Sequence, residues 1–321
     1  MSDMGQQFGR VGVLYGGQSA EREVSLMSGQ AVHEALLRQG VQSTLFDLGQ
    51  SDLAQLAAQQ FDRVFIALHG RYGEDGTLQG ALELLGIAYT GSGHLSSALA
   101  MDKIMTKRLW QQSGLSTPAS RIVETAGDLE GLQDVLGLPL ILKAPNEGST
   151  IGLAKVTSAH ELAHAYEMVS AFDHRILAEK FIAGRELTVA LLGKGSSARA
   201  LPIVEIIAPQ GNYDYQNKYF SDETQYVCPA ELPDTLAQHI SEIAVCAYQA
   251  LDCEGWARAD LILDADMKPW LLEMNTSPGM TGHSLVPMAA QAAGMDFDQL
   301  CLAILAQASC KVSGRSRAIS D

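Results

Sequence analysis

The sequence predicts an α/β unit built on a parallel sheet at its N-terminus, followed by a small α+β unit and a third, strand-rich unit. Three observations carry this expectation. Strand-like apolar runs alternate with helical periods up to about residue 100, a helical stretch then closes at Gly114 with Pro118 following, and β-rich segments dominate what comes after. The boundaries fall at 1–100, 101–183 and 184–308, with 309–321 expected to be a disordered tail. A chain of 321 residues can fill a separate core in each unit.

In the first unit the strand VGVLY starts at Val11 and turns through GGQSA. A helix, EREVSLMSGQAVHEALLRQ, follows and is closed by Gly40. A second strand (VQSTLFDL), a helix and a third strand (DRVFIAL) complete the alternation. Open parallel sheets bind ligands beyond the carboxyl ends of their strands. The loop from Gly16 to Glu21 and the pair His69 and Gly70 should therefore converge on one crevice. HLSSALAMDKIMTKRLWQQSG reads as a single long helix leading to the junction.

The second unit offers LPLILKAP, IGLAKV and RILAEKFI as strands and SAHELAHAYEMVSAF as a helix. In the third, ELTVALLG and ARALPIVEII are long strand patterns, and Pro209 to Cys228 is a polar, Tyr-rich loop suited to act as a lid. The helix LAQHISEIAVCAYQAL then leads to a hairpin-like pair, WARADLIL and PWLLEMN.

With 22 basic and 37 acidic residues the formal charge is −15, which opposes nonspecific attraction to nucleic acid or an anionic membrane. An anionic substrate must be met by local lysines and arginines. Cys228, Cys246, Cys253, Cys301 and Cys310 form no C-x-x-C pair, so neither a disulfide framework nor a zinc pattern is expected. No apolar run approaches the roughly 20 residues of a membrane span, and MSDMGQQFGR enters the first strand without an apolar signal segment. The expectation is a soluble, cytoplasmic protein, and a homodimer is compatible with the sequence.

Folding the last hairpin at Ala265 and Asp266 sets Arg258 opposite Glu273 and Asp260 opposite Leu271, to within a residue or two. Side-chain alternation places Arg258 with Asp260 on one face, and Glu273 with Asn275. Three oxygen donors without histidine or cysteine suit a hard cation such as magnesium, with phosphate as co-ligand. A solvated hairpin face with an ion pair is the competing account. The surrounding Trp256, Leu261, Ile262, Trp270 and Leu271 favour a patch that lies against protein or ligand. Ser284 is positioned to cap the helix that follows.

Neither a P-loop nor a dinucleotide-binding glycine fingerprint is present, so phosphate must be held differently. Lys143 ends LPLIL and precedes the polar loop Ala-Pro-Asn-Glu-Gly-Ser-Thr, a group able to clamp phosphate, although an ordinary strand end and hairpin loop would look the same. Glu179, Lys180 and Glu186 flank an apolar segment able to face adenine and ribose, and a charged strand edge explains them equally well.

Taken together, GGQSAEREVS from Gly16, HGRYGEDGTLQG from His69, TGSG from Thr90, MDK from Met101, EGST from Glu147, KYFSDETQY from Lys218 and LLEMNTSPGMTGHSLVP from Leu271 resemble the D-alanine–D-alanine ligases. The likeness spans residues 10 to 308 in the same order. It implies the three-domain ATP-grasp fold, with ATP held between the second and third domains.

It further implies nucleotide-binding roles for Lys103, Lys143, Glu179, Lys180, Ile182 and Glu186, a phosphate contact for Lys218, and two Mg2+ ions on Asp260, Glu273 and Asn275, with Mn2+ able to substitute. Glu21 matches the residue that holds the ammonium of the first D-alanine, with His69 close by. Ser149, Tyr219 and Glu21 match a hydrogen-bonded trio, Arg258 and the backbone of Gly279 the oxyanion stabilisers, and Ser284 the binder of the second carboxylate. Departures lie at Ala144-Pro145-Asn146, where relatives often carry Pro-Ser-Arg, and at Arg185, where proline is common.

The implied activity is ATP-dependent formation of D-alanyl-D-alanine, a peptidoglycan precursor, through a D-alanyl phosphate. Alternatives are a D-alanine–D-lactate or D-serine ligase, another ATP-grasp enzyme such as a carboxylase, and a noncatalytic amino-acid-binding protein. Tyr219 argues against the first, because the depsipeptide-forming relatives carry Phe there. No residues for bicarbonate or biotin are found. A binding protein would have no reason to keep Lys143, Asp260, Glu273 and Asn275 together.

Overall fold

Val11, Val13 and Leu14 are all fully buried, so the first strand must be covered on both faces, as parallel strands in layered α/β proteins are. The computed structural model, which describes residues 6–148, 152–209 and 224–312, shows how. Strands β1 (Val11–Tyr15), β2 (Ser43–Asp47), β3 (Arg63–Ile66) and β4 (Ala88–Tyr89) form a sheet in the order β2-β1-β3-β4, and every pair is parallel. The chain reverses its direction of winding between β1 and β3, which opens a crevice at their carboxyl ends. Helix α1 (Arg22–Arg38) buries Val24, Ser28, Val32, Ala35 and Leu36 at three- and four-residue spacing. Gly29 lets it approach closely, since a Cβ there would lie 2.4 Å from that of Tyr15.

Helices α2 (Leu53–Ala58) and α3 (Thr77–Leu85) complete the layers. The stretch read as one long helix is two, α4 (His94–Met101) and α5 (Lys103–Gln112). Asp102 breaks it by adopting an extended conformation, and its carboxylate accepts the amides of Ile104 and Met105 at 2.9 and 3.1 Å. Aspartate gains more as an N-cap than inside a helix, which is why the apolar period alone misreads this join.

The middle of the chain forms an antiparallel sheet of order β5-β8-β6-β7, from β5 (Ser120–Val123), β6 (Leu140–Lys143), β7 (Leu153–Val156) and β8 (Ile176–Lys180). Helices α6 (Leu132–Leu136) and α7 (Leu162–Ser170) contribute to a core of its own, in which Val123, Leu140, Leu142, Val169 and Ile176 meet. The third sheet runs β12-β11-β9-β13-β14, with β10 (Arg199–Ala200) on β9. Its strands are β9 (Gly184–Lys194), β11 (Val204–Ile207), β12 (Gln225–Val227), β13 (Glu254–Asp264) and β14 (Pro269–Asn275). ARALPIVEII is split between β10 and β11 by a segment containing Pro202, which has no amide to give to a ladder.

Helix α8 (Asp234–Ala250) covers one face of this sheet, and α9 (Leu285–Ala292) and α10 (Phe297–Leu305) connect the other to the first sheet. Val13, Leu36 and Phe65 share a core with Leu192, Trp256, Val286 and Ile304, and the Phe65 and Trp256 rings lie 6.1 Å apart. The first and third units are thus fused. Helix α5, placed by sequence in the second unit, sends Trp110 into the third, where its indole donates to the Ala247 carbonyl at 3.0 Å. Residues 115–119 form a strap between two sheets: Ser116 O accepts from Leu271 N on β14, and Ala119 O accepts from Lys180 N on β8. Among the described residues no helix is long and apolar enough to cross a membrane.

The expectation of a loose tail from residue 309 needs correction. Ser309 pairs with Tyr89 through two backbone hydrogen bonds of 3.1 and 3.2 Å, extending the edge of the first sheet. Lys311 is 3.1 Å from Glu254 and stacks over Tyr89. A strand edge with free backbone groups is a ready docking site for the chain that follows α10, and sequence period cannot show it. Residues 313–321 lie outside the described residues. Deleting 309–321 should lower the melting temperature of the first sheet by several degrees, since each lost hydrogen bond is worth about 0.5–1.5 kcal/mol and each kcal/mol about 2–4 °C at this size. An unchanged midpoint in a melting curve would show that the pairing contributes nothing.

Candidate active site

Two serines stitch together the loops at the carboxyl ends of β1 and β3. Ser19 Oγ donates to the His69 carbonyl at 2.7 Å and Ser25 Oγ to the Ala67 carbonyl at 2.7 Å, and Gly16 N donates back to Ser25. Arg22 holds the glycine turn from outside, bonded to Gly17 O at 2.8 Å and to both oxygens of Asp47. Gly16 and Gly17 both have φ of +73°, the left-handed region that side chains disfavour. Glu21 is the N-cap of α1 but makes no side-chain cap, so its carboxylate is turned elsewhere. It lies beside Gly70 and Gly148, where added Cβ atoms would sit 2.9 and 3.3 Å from Oε2.

His69 is buried. Its Nδ1 donates to the Ser277 carbonyl at 2.8 Å, which leaves Nε2 to accept from Ser28 Oγ at 3.0 Å, while Ser28 accepts the Met280 amide. Burial pushes the imidazole below its ordinary value, opposed by the charge of Glu21. The sequence of loops thus continues into the segment after β14, whose residues Ser277, Pro278 and Gly279 line the same cleft.

On the opposite wall, Asp260 pairs with Glu273 and Arg258 with Asn275, all four on one face of the sheet. This register is two residues from the expected one. The turn takes a third residue, with Met267 at φ +60°, and a bulge after Asp260 leaves Leu272 without a partner in the register. Arg258 binds Asp260 with two hydrogen bonds of 2.9 and 2.8 Å. Asn275 adds one at 3.0 Å, and Thr188, directly across on β9, another at 2.6 Å. Lys103 Nζ sits 3.0 Å from Glu273 and 2.8 Å from the Glu147 carbonyl.

The donor set fits a hard cation. Asp260, Glu273 and Asn275 put two carboxylates and an amide on one face of the sheet, Glu273 and Asn275 lining the cleft, and the carboxylates at present carry Arg258 and Lys103 as counter-ions. Among the described residues no three His, Cys, Asp or Glu side chains form a closed metal cage, so an ion held here must take further oxygens from water or phosphate.

Glu21, His69, Arg258, Glu273, Asn275 and Gly279 are therefore brought together around one open cleft of about 380 Å³, and Lys103 lines an adjoining one of about 310 Å³. Lys143 and Glu179 form a second group, 2.6 Å apart on neighbouring strands. Lys180, Ile182 and Glu186 lie on and just after β8 and at the start of β9, where the chain passes from the second sheet to the third. Ser284 is the N-cap of α9, but its hydroxyl turns back to the Thr281 amide at 2.9 Å and caps no helical N–H, contrary to expectation. The side chain lies close to Gly279, where a Cβ would be 2.8 Å from it. Ser149, Lys218 and Tyr219 lie outside the described residues, as does 210–223 of the lid expected from Pro209 to Cys228, and the end of that stretch is not loop but strand β12, paired with β11.

Three residues escaped the sequence reading. Glu74 lines the cleft beside Glu21 and Glu273, and burial together with the Glu21 charge pushes its carboxyl well above the ordinary range. It lies in the quoted HGRYGEDG run, so its signal was present. Thr188 and Lys107 reveal their roles only through contacts with other elements.

The protonation of His69 is checkable. Because its folded pKa lies below the unfolded value of about 6.5, the unfolded chain takes up the proton first, so stability should fall as pH drops through that value. Titration followed by NMR should show the His69 ring still neutral where exposed histidines are half protonated. A midpoint at or above the ordinary value would contradict the buried, Nδ1-donating assignment.

Residues 109–306 match the family described as D-ala D-ala ligase C-terminus, and residues 48–92 the one described as D-ala D-ala ligase N-terminus. The D-alanine–D-alanine ligase of Bordetella pertussis is 65% identical over 314 residues, covering 98% of this chain and 99% of that protein. Among solved structures, the D-alanine–D-alanine ligase from Bacillus anthracis superposes with a TM-score of 0.82 at 34% identity, covering 92% of this chain and 96% of that one. The same enzyme complexed with ATP gives 0.80 at 35% identity, covering 92% and 95%. A relative this similar along its whole length, on an ATP-grasp scaffold whose loops and hairpin converge as described, leaves one assignment: the chain belongs to the D-alanine–D-alanine ligase family.

Proposed function

We propose that this protein joins two molecules of D-alanine, using ATP, and releases ADP and phosphate. The observation that carries the reading is the cleft itself, where Glu21 and His69 on one wall face Arg258, Glu273 and Asn275 on the other. A carboxylate is a poor acyl donor until one oxygen becomes a good leaving group. Glu21 would hold the ammonium of the first D-alanine so that its carboxylate meets the γ-phosphate, and phosphoryl transfer forms D-alanyl phosphate and ADP.

Lys103, Lys143 and, by resemblance, Lys218 neutralise the phosphates, while Glu179, Lys180, Ile182 and Glu186 take the adenine and ribose. Asp260, Glu273 and Asn275 would hold magnesium, two ions by resemblance with manganese able to substitute, and the metal supplies charge neutralisation at the phosphates. The second D-alanine, its carboxylate on Ser284, attacks the acyl carbon with its free amine. The tetrahedral oxyanion is stabilised by Arg258 and the Gly279 amide, and collapse expels phosphate, leaving the dipeptide. Ser149 and Tyr219 tie Glu21 to the loops over the site by resemblance. A reaction that consumes ATP fits a cytoplasmic setting.

ADP release measured with D-alanine against L-alanine, D-serine and D-lactate tests the reading; no release above background with D-alanine would end it. Glu273→Gln removes a ligand charge at nearly constant volume, so turnover should be abolished while the circular dichroism spectrum and melting midpoint are retained. Near-normal activity at ordinary magnesium would remove Glu273 from the metal site.

A further expectation concerns Tyr219, whose phenol would bond Ser149. Losing that bond should cost about 0.5–1.5 kcal/mol, or roughly threefold to tenfold in selectivity. Tyr219→Phe should keep dipeptide synthesis and gain D-alanyl-D-lactate, most visibly at lower pH, where more of the competing amine is protonated. A constant dipeptide-to-depsipeptide ratio across pH would reduce Tyr219 to packing.

A further inference from the structure

Lys107 has no part in the reaction just described, yet it is the most deeply buried cation near the nucleotide residues, with a relative exposure of 2%. It sits one helical turn beyond Lys103 on α5, so both project from one face. Its Nζ donates to Thr117 Oγ1 and to the Pro118 carbonyl, the latter at 3.2 Å, and it pairs with Glu179 Oε1. Two hydrogen bonds and one ion pair thus hold the ammonium. Thr117 in turn donates to the carbonyl of Leu271 on β14, two residues before Glu273. Lys107 is anchored under the strap that joins the two sheets.

Lys143 approaches the same carboxylate from β6, bonding Glu179 Oε2 at 2.6 Å, and Glu179 is its one partner among the described residues. Two lysines therefore share one buried carboxylate, which leaves a local surplus of one positive charge in a chain of net charge −15. Burial alone would raise the Glu179 carboxyl, but the charges of Lys143 and Lys107 outweigh it and keep the group ionised. Burial likewise pushes Lys107 down to about 8, with Glu179 acting to hold its proton.

A carboxylate with one lysine would compete with phosphate for that lysine. With two, the anchored one can neutralise Glu179 while the other turns to the ligand. We infer that Lys107 is a positioning residue for the nucleotide: as the standing counter-ion of Glu179, it frees Lys143 to bind ATP. This rests on the proposed nucleotide roles of Lys143 and Glu179.

The test is a cycle of four full-length proteins, wild type, Lys107→Met, Glu179→Gln and the double variant, with magnesium ADP binding read by titration calorimetry. Wild-type binding comes first, since its absence would refute the nucleotide reading itself. Lys107→Met should weaken ADP binding roughly ten- to hundredfold, each tenfold being about 1.4 kcal/mol, with KM for D-alanine unchanged and kcat at saturating ATP within about threefold.

In the Glu179→Gln background there is no charge left to neutralise, so removing Lys107 should change ADP affinity by less than about twofold. An equal loss in both backgrounds would overturn the proposal, as would wild-type ADP affinity in Lys107→Met or a fall in kcat alone. If Lys107→Met does not fold, Glu179→Gln, in which Lys107 keeps Thr117 Oγ1 and the Pro118 carbonyl as neutral partners, is compared with the double variant, which removes both charges. There, a tenfold loss overturns the role and a loss below about twofold supports it.

Discussion

The imidazole of His69, held between Ser28 and Ser277, is the fastening on which the cleft depends. Being buried and neutral it can give one hydrogen bond and accept one, which dictates the direction of every bond in the chain from Met280 N through Ser28 to Ser277 O. Helix α1 and two loops from distant parts of the sequence are locked in register by that constraint. Ser19 and Ser25 then tie the glycine turn to the same frame, and Glu21 inherits its position from them. Loop residues gain precision here from being bonded to rigid elements rather than from rigidity of their own.

An acidic chain that handles phosphates must concentrate its few cations, and the pairings show how. Arg258 neutralises Asp260, Lys103 neutralises Glu273, Lys107 and Lys143 serve Glu179, and Arg71 meets Glu147 at the rim. Asp260, Glu273 and Glu179 are therefore already balanced, at low solvent exposure where such pairs are felt more strongly than on the surface. The Arg71 pair is half exposed and contributes little by comparison.

Much of this was legible in the sequence, because the features that define the fold are local. Alternating strands and helices gave the parallel sheet, and Gly16, Gly17 and Gly40, all at positive φ, stand where turns were expected. The hairpin was found with its four polar residues on one face, and its register only to within two residues, since an extra turn residue and a bulge shift it without altering alternation. Asp102 hid a helix break because a cap and a helical polar residue look alike in one dimension. Lys107 and Thr188 illustrate the larger limit. Within KIMTKRLW a lysine reads as solvent-facing, and only the strap packed over α5 makes it a buried partner of β8.

The second sheet keeps a core to itself, and every residue in it comes from between Val123 and Ala178. The first and third sheets, by contrast, share one. Cooperativity in unfolding follows shared burial, so the molecule divides into two melting units that do not coincide with three structural ones. A heat-capacity scan would then carry two transitions, and no single free energy would describe the stability of the whole chain. A substitution such as Leu142→Ala would be felt by the smaller transition alone, leaving the fused pair of sheets and the His69 fastening at their original temperature.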